Sequence, residues 1–206
     1  MSSVSGRGHF IAFEGGEGCG KSTQARLLAA SLDALLTHEP GGTEIGRRIR
    51  ALVLDPGATD LAVRTEALLM AADRAQHVAE VIAPTLQQGR DVVTDRFSGS
   101  TLAYQGFGRG LPLDELTELS QWAAGGLEPD LVVLLDVPAS VAASRRCGSA
   151  DRMEAAGDAF HARVVEGYRW LAAADPARWI VVDGTGSVDE VAARVHAAVA
   201  PVVGTR

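Results

Sequence analysis

Eight consecutive residues carry the strongest chemical signal in the chain: Gly15-Gly16-Glu17-Gly18-Cys19-Gly20-Lys21-Ser22. They fit the P-loop pattern G-x-x-x-x-G-K-S, whose glycines let backbone N–H groups wrap a phosphate. A buried strand is expected before the loop and an amphipathic helix after it. The helix N-terminus then adds its dipole to the same anion site. In such a loop the Lys21 ammonium bridges the β- and γ-phosphates of a nucleotide, and the Ser22 hydroxyl reaches Mg²⁺. The chain has 18 arginines, a single lysine and no asparagine. That lysine falls on the lysine position of the motif, where a compact ammonium and a planar guanidinium are different tools.

A phosphate loop indicates a nucleotide and leaves the reaction open. The base-reading NKxD motif of small GTPases cannot occur in a chain without asparagine, and the ABC-type LSGGQ is also missing. Downstream of the loop lie Arg50, Arg74, Arg96, Arg145, Arg146 and Arg152. Transferring a phosphoryl group between two anions needs positive charge around both. The pattern therefore suits a kinase with a phosphorylated acceptor better than a hydrolase.

These groups must be positioned by a scaffold, and the chain alternates short apolar runs with longer helical stretches. That alternation predicts βαβ units and a mostly parallel sheet. Strands are expected over 10–13, 35–37, 92–94, 131–135 and 179–182, with acids Glu14, Asp95, Asp136 and Asp183 at or just past their ends. Ligands bind beyond the carboxyl ends of such strands. Helices are expected over 21–36, 64–88, 114–124, 139–146, 158–174 and 188–199. The first puts Ala25, Leu28, Ala29, Leu32 and Leu36 on one face, and the second is expected to bend at Pro84. The polar stretch 145–157 interrupts two helices and reads as a short mobile lid on a single domain spanning 1–206.

Composition sets outer bounds. Hydrophobic residues make up 47% and charged residues 22%, ordinary for a folded globular chain. No apolar run approaches the roughly 18 residues that span a bilayer, and the N-terminus does not read as a signal peptide. Two cysteines, Cys19 and Cys147, form neither a disulfide framework nor a zinc site. The expectation is a reduced, cytoplasmic protein. A net charge of −7 with scattered arginines argues against nucleic-acid binding but permits a local pocket for a small anion.

Six motifs, in order, resemble those of thymidylate kinases, from about residue 10 to residue 188. Residues 14–23 read EGGEGCGKST, like the family's EGxEGxGKST, and His38-Glu39-Pro40-Gly41-Gly42-Thr43 resembles REPGGT. Residues 72–77 match ADRAQH, Asp95-Arg96-Phe97 is similar to DRY/DRF, 100–106 match STLAYQG, and Asp151-Arg152-Met153-Glu154 resembles the lid's DRIE.

The resemblance implies a P-loop nucleoside-monophosphate-kinase-like α/β fold: a five-stranded parallel sheet flanked by helices. The implied reaction is ATP plus dTMP to ADP plus dTDP, with Mg²⁺, in a homodimer formed through the long helix around 73–81. Gly15, Gly16, Glu17, Gly18, Cys19, Gly20, Lys21, Ser22 and Thr23 would bind ATP, with Ser22 and Asp95 near the metal. Glu17 takes the place of the carboxylate that meets the sugar 3′-hydroxyl, and Arg96 that of the arginine on the acceptor phosphate. Arg74 and Gln105 resemble the pair that hydrogen-bonds the thymine edge, and Tyr104 the aromatic under the deoxyribose. Arg50 resembles a second phosphate contact, and Glu39 and Thr101 belong to the same acceptor site. Residues 183–187 resemble the loop that borders the adenine.

Three features set this chain apart within that pattern. Gly18 and Cys19 stand where some members carry a basic loop residue, so the charge is expected from the lid, first from Arg152, then Arg146. Met70 replaces the phenylalanine that stacks on thymine with a softer platform. His38 replaces an arginine, exchanging a permanent charge for one that titrates. Two other readings stay open: the same chemistry on dUMP or a 5-substituted dUMP, and a non-catalytic nucleotide-binding regulator.

Overall fold

The computed structural model describes residues 6–145 and 151–204. The five apolar runs form β1 (Phe10–Glu14), β2 (Leu35–His38), β3 (Val92–Asp95), β4 (Leu131–Asp136) and β5 (Trp179–Asp183). All pairings are parallel, in the order β2-β3-β1-β4-β5. Every residue of β1 is buried, as a central strand covered on both faces requires. Ile11 and Phe13 pack toward Leu28, Val133 and Leu135, while Phe10 and Ala12 pack toward Ile82, Leu86 and Val132. Burial of each such large side chain is worth about 1.5–3 kcal/mol. The register pairs Phe13 and His38 with Asp95 and Glu14 with Leu134, so the acidic strand ends gather at one edge.

The helices are α1 (Lys21–Leu32), α2 (Glu44–Leu54), α3 (Val63–His77), α4 (Ala83–Gln87), α5 (Ser98–Thr101), α6 (Leu113–Ala123), α7 (Ala139–Arg145), α8 (Asp158–Ala174) and α9 (Val188–Val203). Three expectations need correction. First, α1 stops at Leu32, not residue 36, because Asp33 turns left-handed at φ 51° and Leu35 already bonds to the Asp91 carbonyl. Second, the long helix is interrupted just before Pro84 rather than continuing as one α-helix to residue 88. It widens into a π segment, Val78–Ile82, in the turn before the proline, where the missing N–H and the ring disturb the helical ladder. The Thr85 hydroxyl takes up the Val81 carbonyl there at 2.7 Å. Third, α2 (Glu44–Leu54) falls in a stretch where no helix was expected. The Thr43 hydroxyl caps it by accepting from Gly46 N–H at 2.9 Å.

Within the stretch 73–81, Asp73, Arg74, His77 and Val78 are buried inside the protomer, whereas Ala79 and Glu80 are exposed. Apolar exposure on this side belongs to Ile45, Leu52 and Leu68. Among the described residues, no helix is long and apolar enough to cross a membrane.

Candidate functional site

The loop between β1 and α1 has the backbone that its glycines were expected to permit. Gly15, Gly18 and Gly20 all have positive φ, and a Cβ on Gly18 would lie 2.3 Å from the Ala142 carbonyl oxygen. Only glycine fits there. Lys21 opens α1 and folds its ammonium back over the loop, donating to the Gly16 carbonyl at 3.3 Å, with a Glu17 oxygen at 3.9 Å. Two clefts meet at this loop, and both are lined by Glu17, Lys21 and Ser22. One, about 370 Å³, runs past Asp95 and Arg96 to Met70, Arg74 and Gln105. The other, about 530 Å³, runs past Thr23 and Gln24 to Arg145, Gly184, Gly186 and Ser187.

Arg96 is the hub between the two. It follows β3 in the left-handed region at φ 74°, a conformation that a non-glycine residue holds only when its surroundings demand it. Its guanidinium pairs with Glu17 and donates at 3.0 Å to both the Tyr104 and Tyr168 hydroxyls, and it stacks 4.9 Å from the Tyr104 ring centre. Burial opposes ionisation of Glu17, but Arg96 and Lys21 outweigh it and pull the carboxyl down to about 2. Tyr104 donates to Glu17 at 2.9 Å.

Beneath Arg96 lies Glu14, fully buried at the end of β1. It accepts from Phe97 N–H, Ser100 N–H, the Ser100 hydroxyl and the Tyr168 hydroxyl, at 2.6–3.0 Å. Burial raises its pKa despite these donors. Asp95 keeps one carboxylate oxygen, Oδ1, buried and without a hydrogen-bond partner in the structure. Asp95 and Ser22 line the same cleft. A buried orphan carboxylate oxygen and a hydroxyl are hard oxygen donors of the kind Mg²⁺ takes. No cluster of three His, Cys, Asp or Glu that could hold a metal occurs among the described residues.

The far end of the first cleft is built from buried polar groups. Arg74 donates to Glu39 at 3.0 Å, to Ser120 at 3.3 Å, to the Phe97 carbonyl at 3.1 Å and to Thr101 at 3.0 Å. His77 sits between Glu39, 3.0 Å from Nδ1, and Thr37, 2.6 Å from Nε2. Asp73 accepts from Gly41 N–H at 2.9 Å while its Oδ2 is buried and unpartnered. Burial, reinforced by the Glu39 charge, raises its pKa to about 6. Arg50 donates to the Pro40 carbonyl at 3.0 Å. His38 lies beside Arg50, and burial with that neighbouring charge lowers its pKa. Gln105 donates to the buried carboxylate of Glu66 at 2.8 Å.

Glu39, Arg50, Met70, Arg74, Arg96, Thr101, Tyr104 and Gln105, all expected at an acceptor site, therefore line one cleft. The lid arginines part company. Arg152 does not reach the loop: it donates to the Val53 carbonyl and to Glu66, each at 2.7 Å, anchoring the segment to α2 and α3. Arg146 and Cys147 lie outside the described residues. Arg145 lies on the second cleft, donating to the carbonyls of Gly184 at 3.0 Å and Gly186 at 3.3 Å. Sequence reasoning missed Ser100, Tyr168, Glu66, Asp73 and His77 as parts of the site. Asp73, His77 and Ser100 were visible inside matched motifs, whereas Glu66 and Tyr168 carried no local signal.

Comparison with known proteins agrees with this geometry. A family model described as thymidylate kinase matches residues 13–195. A thymidylate kinase from Leifsonia xyli is 51% identical over 198 residues, covering 92% of this chain and 93% of that protein. One from Cutibacterium acnes is 47% identical over 194 residues, covering 92% and 95%. The crystal structure of the Ehrlichia chaffeensis thymidylate kinase superposes with a TM-score of 0.79 at 30% identity, over 94% of this chain and 98% of that one. With the phosphate loop, the two clefts and the matched motifs in one frame, the chain belongs to the thymidylate kinase family.

Proposed function

We propose that this protein is an ATP:dTMP phosphotransferase, making dTDP on the route to dTTP. The observation that carries the reading is the meeting of two clefts at Lys21 and Ser22, each supplied with its own arginine, Arg96 in one and Arg145 in the other. A hydrolase needs one such cleft; transfer between two nucleotides needs both.

In this reading ATP lies on the loop formed by Gly15 through Thr23, its base toward Gly184 and Gly186. The dTMP lies in the cleft of Arg74 and Gln105. An oxygen of the dTMP phosphate attacks the γ-phosphorus in line, the bond from γ-phosphorus to the bridging oxygen breaks, and ADP leaves. The acceptor phosphate is already largely dianionic near pH 7, so no general base is required. Lys21 and Arg96 hold the two phosphates and offset the gathering charge. Glu17, kept ionised by Arg96 and Lys21, remains an acceptor for the 3′-hydroxyl. Ser22 and Asp95 would hold Mg²⁺, which supplies charge neutralisation on the phosphate oxygens.

Because Gly18 and Cys19 bring no charge, the lid arginines are the proposed source. Arg145 fits best, since it already crosses from the loop to Gly184, and Arg146 follows it in the chain. The chain is proposed to act as one domain, 1–206, with 145–157 as its lid, in the cytoplasm. A homodimer is proposed as well, supported by the exposed Leu68, Ile45 and Leu52. Light scattering should show a dimer that Leu68→Glu weakens; a monomeric wild type at micromolar concentration would remove that part.

The activity is tested by coupled ADP release with Mg·ATP against dTMP, dUMP, dCMP, dGMP and UMP. Preference for dTMP is expected. Preference for another monophosphate would keep the kinase and point to Met70 and His38, and silence with every acceptor would leave only a nucleotide binder.

A further inference from the structure

A glutamine amide offers one donor and one acceptor face, and a half-turn of its last torsion exchanges them. Gln105 alone therefore cannot decide which face it shows to a ligand. Its neighbour decides. Gln105 Nε2 donates to Glu66 Oε1 at 2.8 Å. Glu66 is only 1% exposed. Its Oε1 also lies 3.4 Å from Arg109 Nε, and its Oε2 accepts from Arg109 at 3.3 Å and Arg152 at 2.7 Å. Burial alone would raise its pKa, but the hydrogen bonds from Gln105 and Arg152 and the charge of Arg109 prevail and lower it. An ionised carboxylate only accepts. A reversed Gln105 would set two acceptors against each other in a buried site, since Gln105 and Glu66 are both buried.

We propose that Glu66 is a specificity-determining positioning residue: by admitting only the amide nitrogen of Gln105, it turns the Gln105 carbonyl oxygen to the cleft and selects a base edge that donates. Thymine and uracil donate at N3–H, whereas cytosine accepts at N3. Arg74 has the matching polarity. Nε bonds Glu39, Nη1 bonds Ser120, and Nη2 bonds Phe97 and Thr101, which uses four of its N–H groups. The fifth, on Nη1, remains for an acceptor such as thymine O4. A donor beside an acceptor is the complement of thymine and the reverse of cytosine. The inference rests on the proposed placement of the acceptor base beside Gln105.

The test compares kcat/KM for dTMP, dUMP and dCMP at saturating Mg·ATP in the wild type, Glu66→Gln, Glu66→Asp and Gln105→Ala. A glutamine at 66 can donate as well as accept, so the Gln105 amide becomes free to reverse. Glu66→Gln is expected to lower the dTMP-to-dCMP ratio at least about tenfold, through KM. The dTMP-to-dUMP ratio should stay unchanged, because both bases carry N3–H. Glu66→Asp, still acceptor-only, should recover most of the discrimination. If Glu66→Gln does not fold, the double variant Glu66→Gln/Arg109→Gln, which removes a stranded guanidinium, carries the same comparison. Equal losses for all three acceptors with ratios intact would reduce Glu66 to a structural anchor and overturn the proposal. Should Gln105→Ala also leave the dTMP-to-dCMP ratio intact, the placement of the base beside Gln105 falls instead.

Discussion

The two ends of the acceptor cleft are built on different principles. At the phosphate end, charge is carried by one contiguous loop, Gly15 to Ser22, and by the single residue Arg96 that β3 delivers beside it. At the base end, Glu39, Arg74, His77, Thr101, Gln105 and Glu66 come from separate segments and hold one another through buried hydrogen bonds. The phosphate end can exchange partners, since Arg96 and Lys21 both rest on Glu17 and an incoming phosphate competes for them. The base end is largely tied into its own network and presents what that network leaves over, such as Asp73 Oδ2 and one N–H of Arg74. A transferred phosphoryl group needs mobile countercharge, whereas a base needs a fixed pattern of donors and acceptors.

Two acids mark the contrast electrostatically. Glu17 is pulled down to about 2 by Arg96 and Lys21 against the opposing effect of burial, while Asp73 is pushed up to about 6 by burial and the Glu39 charge. Their contributions to stability have opposite signs in pH. The Glu17 contribution is present above its ordinary value of 4.5 and fades as pH falls toward 2. The Asp73 contribution is present below its ordinary 3.8 and is lost as pH rises through about 6.

The sharpest break in this comparison comes from Lys21→Ala. It should lower kcat about 10³-fold while leaving the unfolding midpoint within a few degrees, because the ammonium has one weak hydrogen bond, 3.3 Å to Gly16, and one long ion pair, 3.9 Å to Glu17. Near-normal turnover would remove the loop from the mechanism. Arg96→Ala should lose about 10²-fold in kcat and, unlike Lys21→Ala, about 3 kcal/mol of stability, since Glu14 loses its neighbouring guanidinium and Glu17 keeps only the Lys21 ammonium at 3.9 Å. Single-turnover kinetics beside urea unfolding separates those two losses.

At the base end Asp73→Asn keeps the acceptor for Gly41 N–H and removes a charge that burial disfavours. It should gain about 1–3 kcal/mol at pH 7.5, a gain that vanishes as pH falls toward 4. A pH-independent difference in denaturation midpoints would contradict that origin. The smallest effect is expected from Met70→Phe. A stiffer platform at the cleft wall should lower KM for dTMP by about two- to fivefold with kcat unchanged.

Legibility in the sequence followed how locally each feature is encoded. The strands were read almost to their ends because a central parallel strand must be continuously apolar, and the loop because its glycines and lysine are adjacent in the chain. Helix ends were read less well. Asp33 stops α1 through a left-handed turn that hydrophobic spacing cannot reveal, and the cap of α2 at Thr43 was hidden among glycines. Within the site, residues from all six motifs line the first cleft. Arg152 went elsewhere, because its motif identity says nothing of the buried carboxylate on α3 that captures it.

By itself, then, the sequence determined which chemistry is available: a phosphate loop, a sole lysine, a downstream set of arginines and an α/β alternation to bring them together. Tertiary structure decided what each charge does. The same residue type serves as hub at Arg96, as base-end strut at Arg74, as loop clasp at Arg145 and as anchor at Arg152, according to the partners that folding places around it. The physical reason is that a guanidinium's role is set by its burial and by the acceptors within about 3 Å, and those acceptors come from strands and helices far away in the chain.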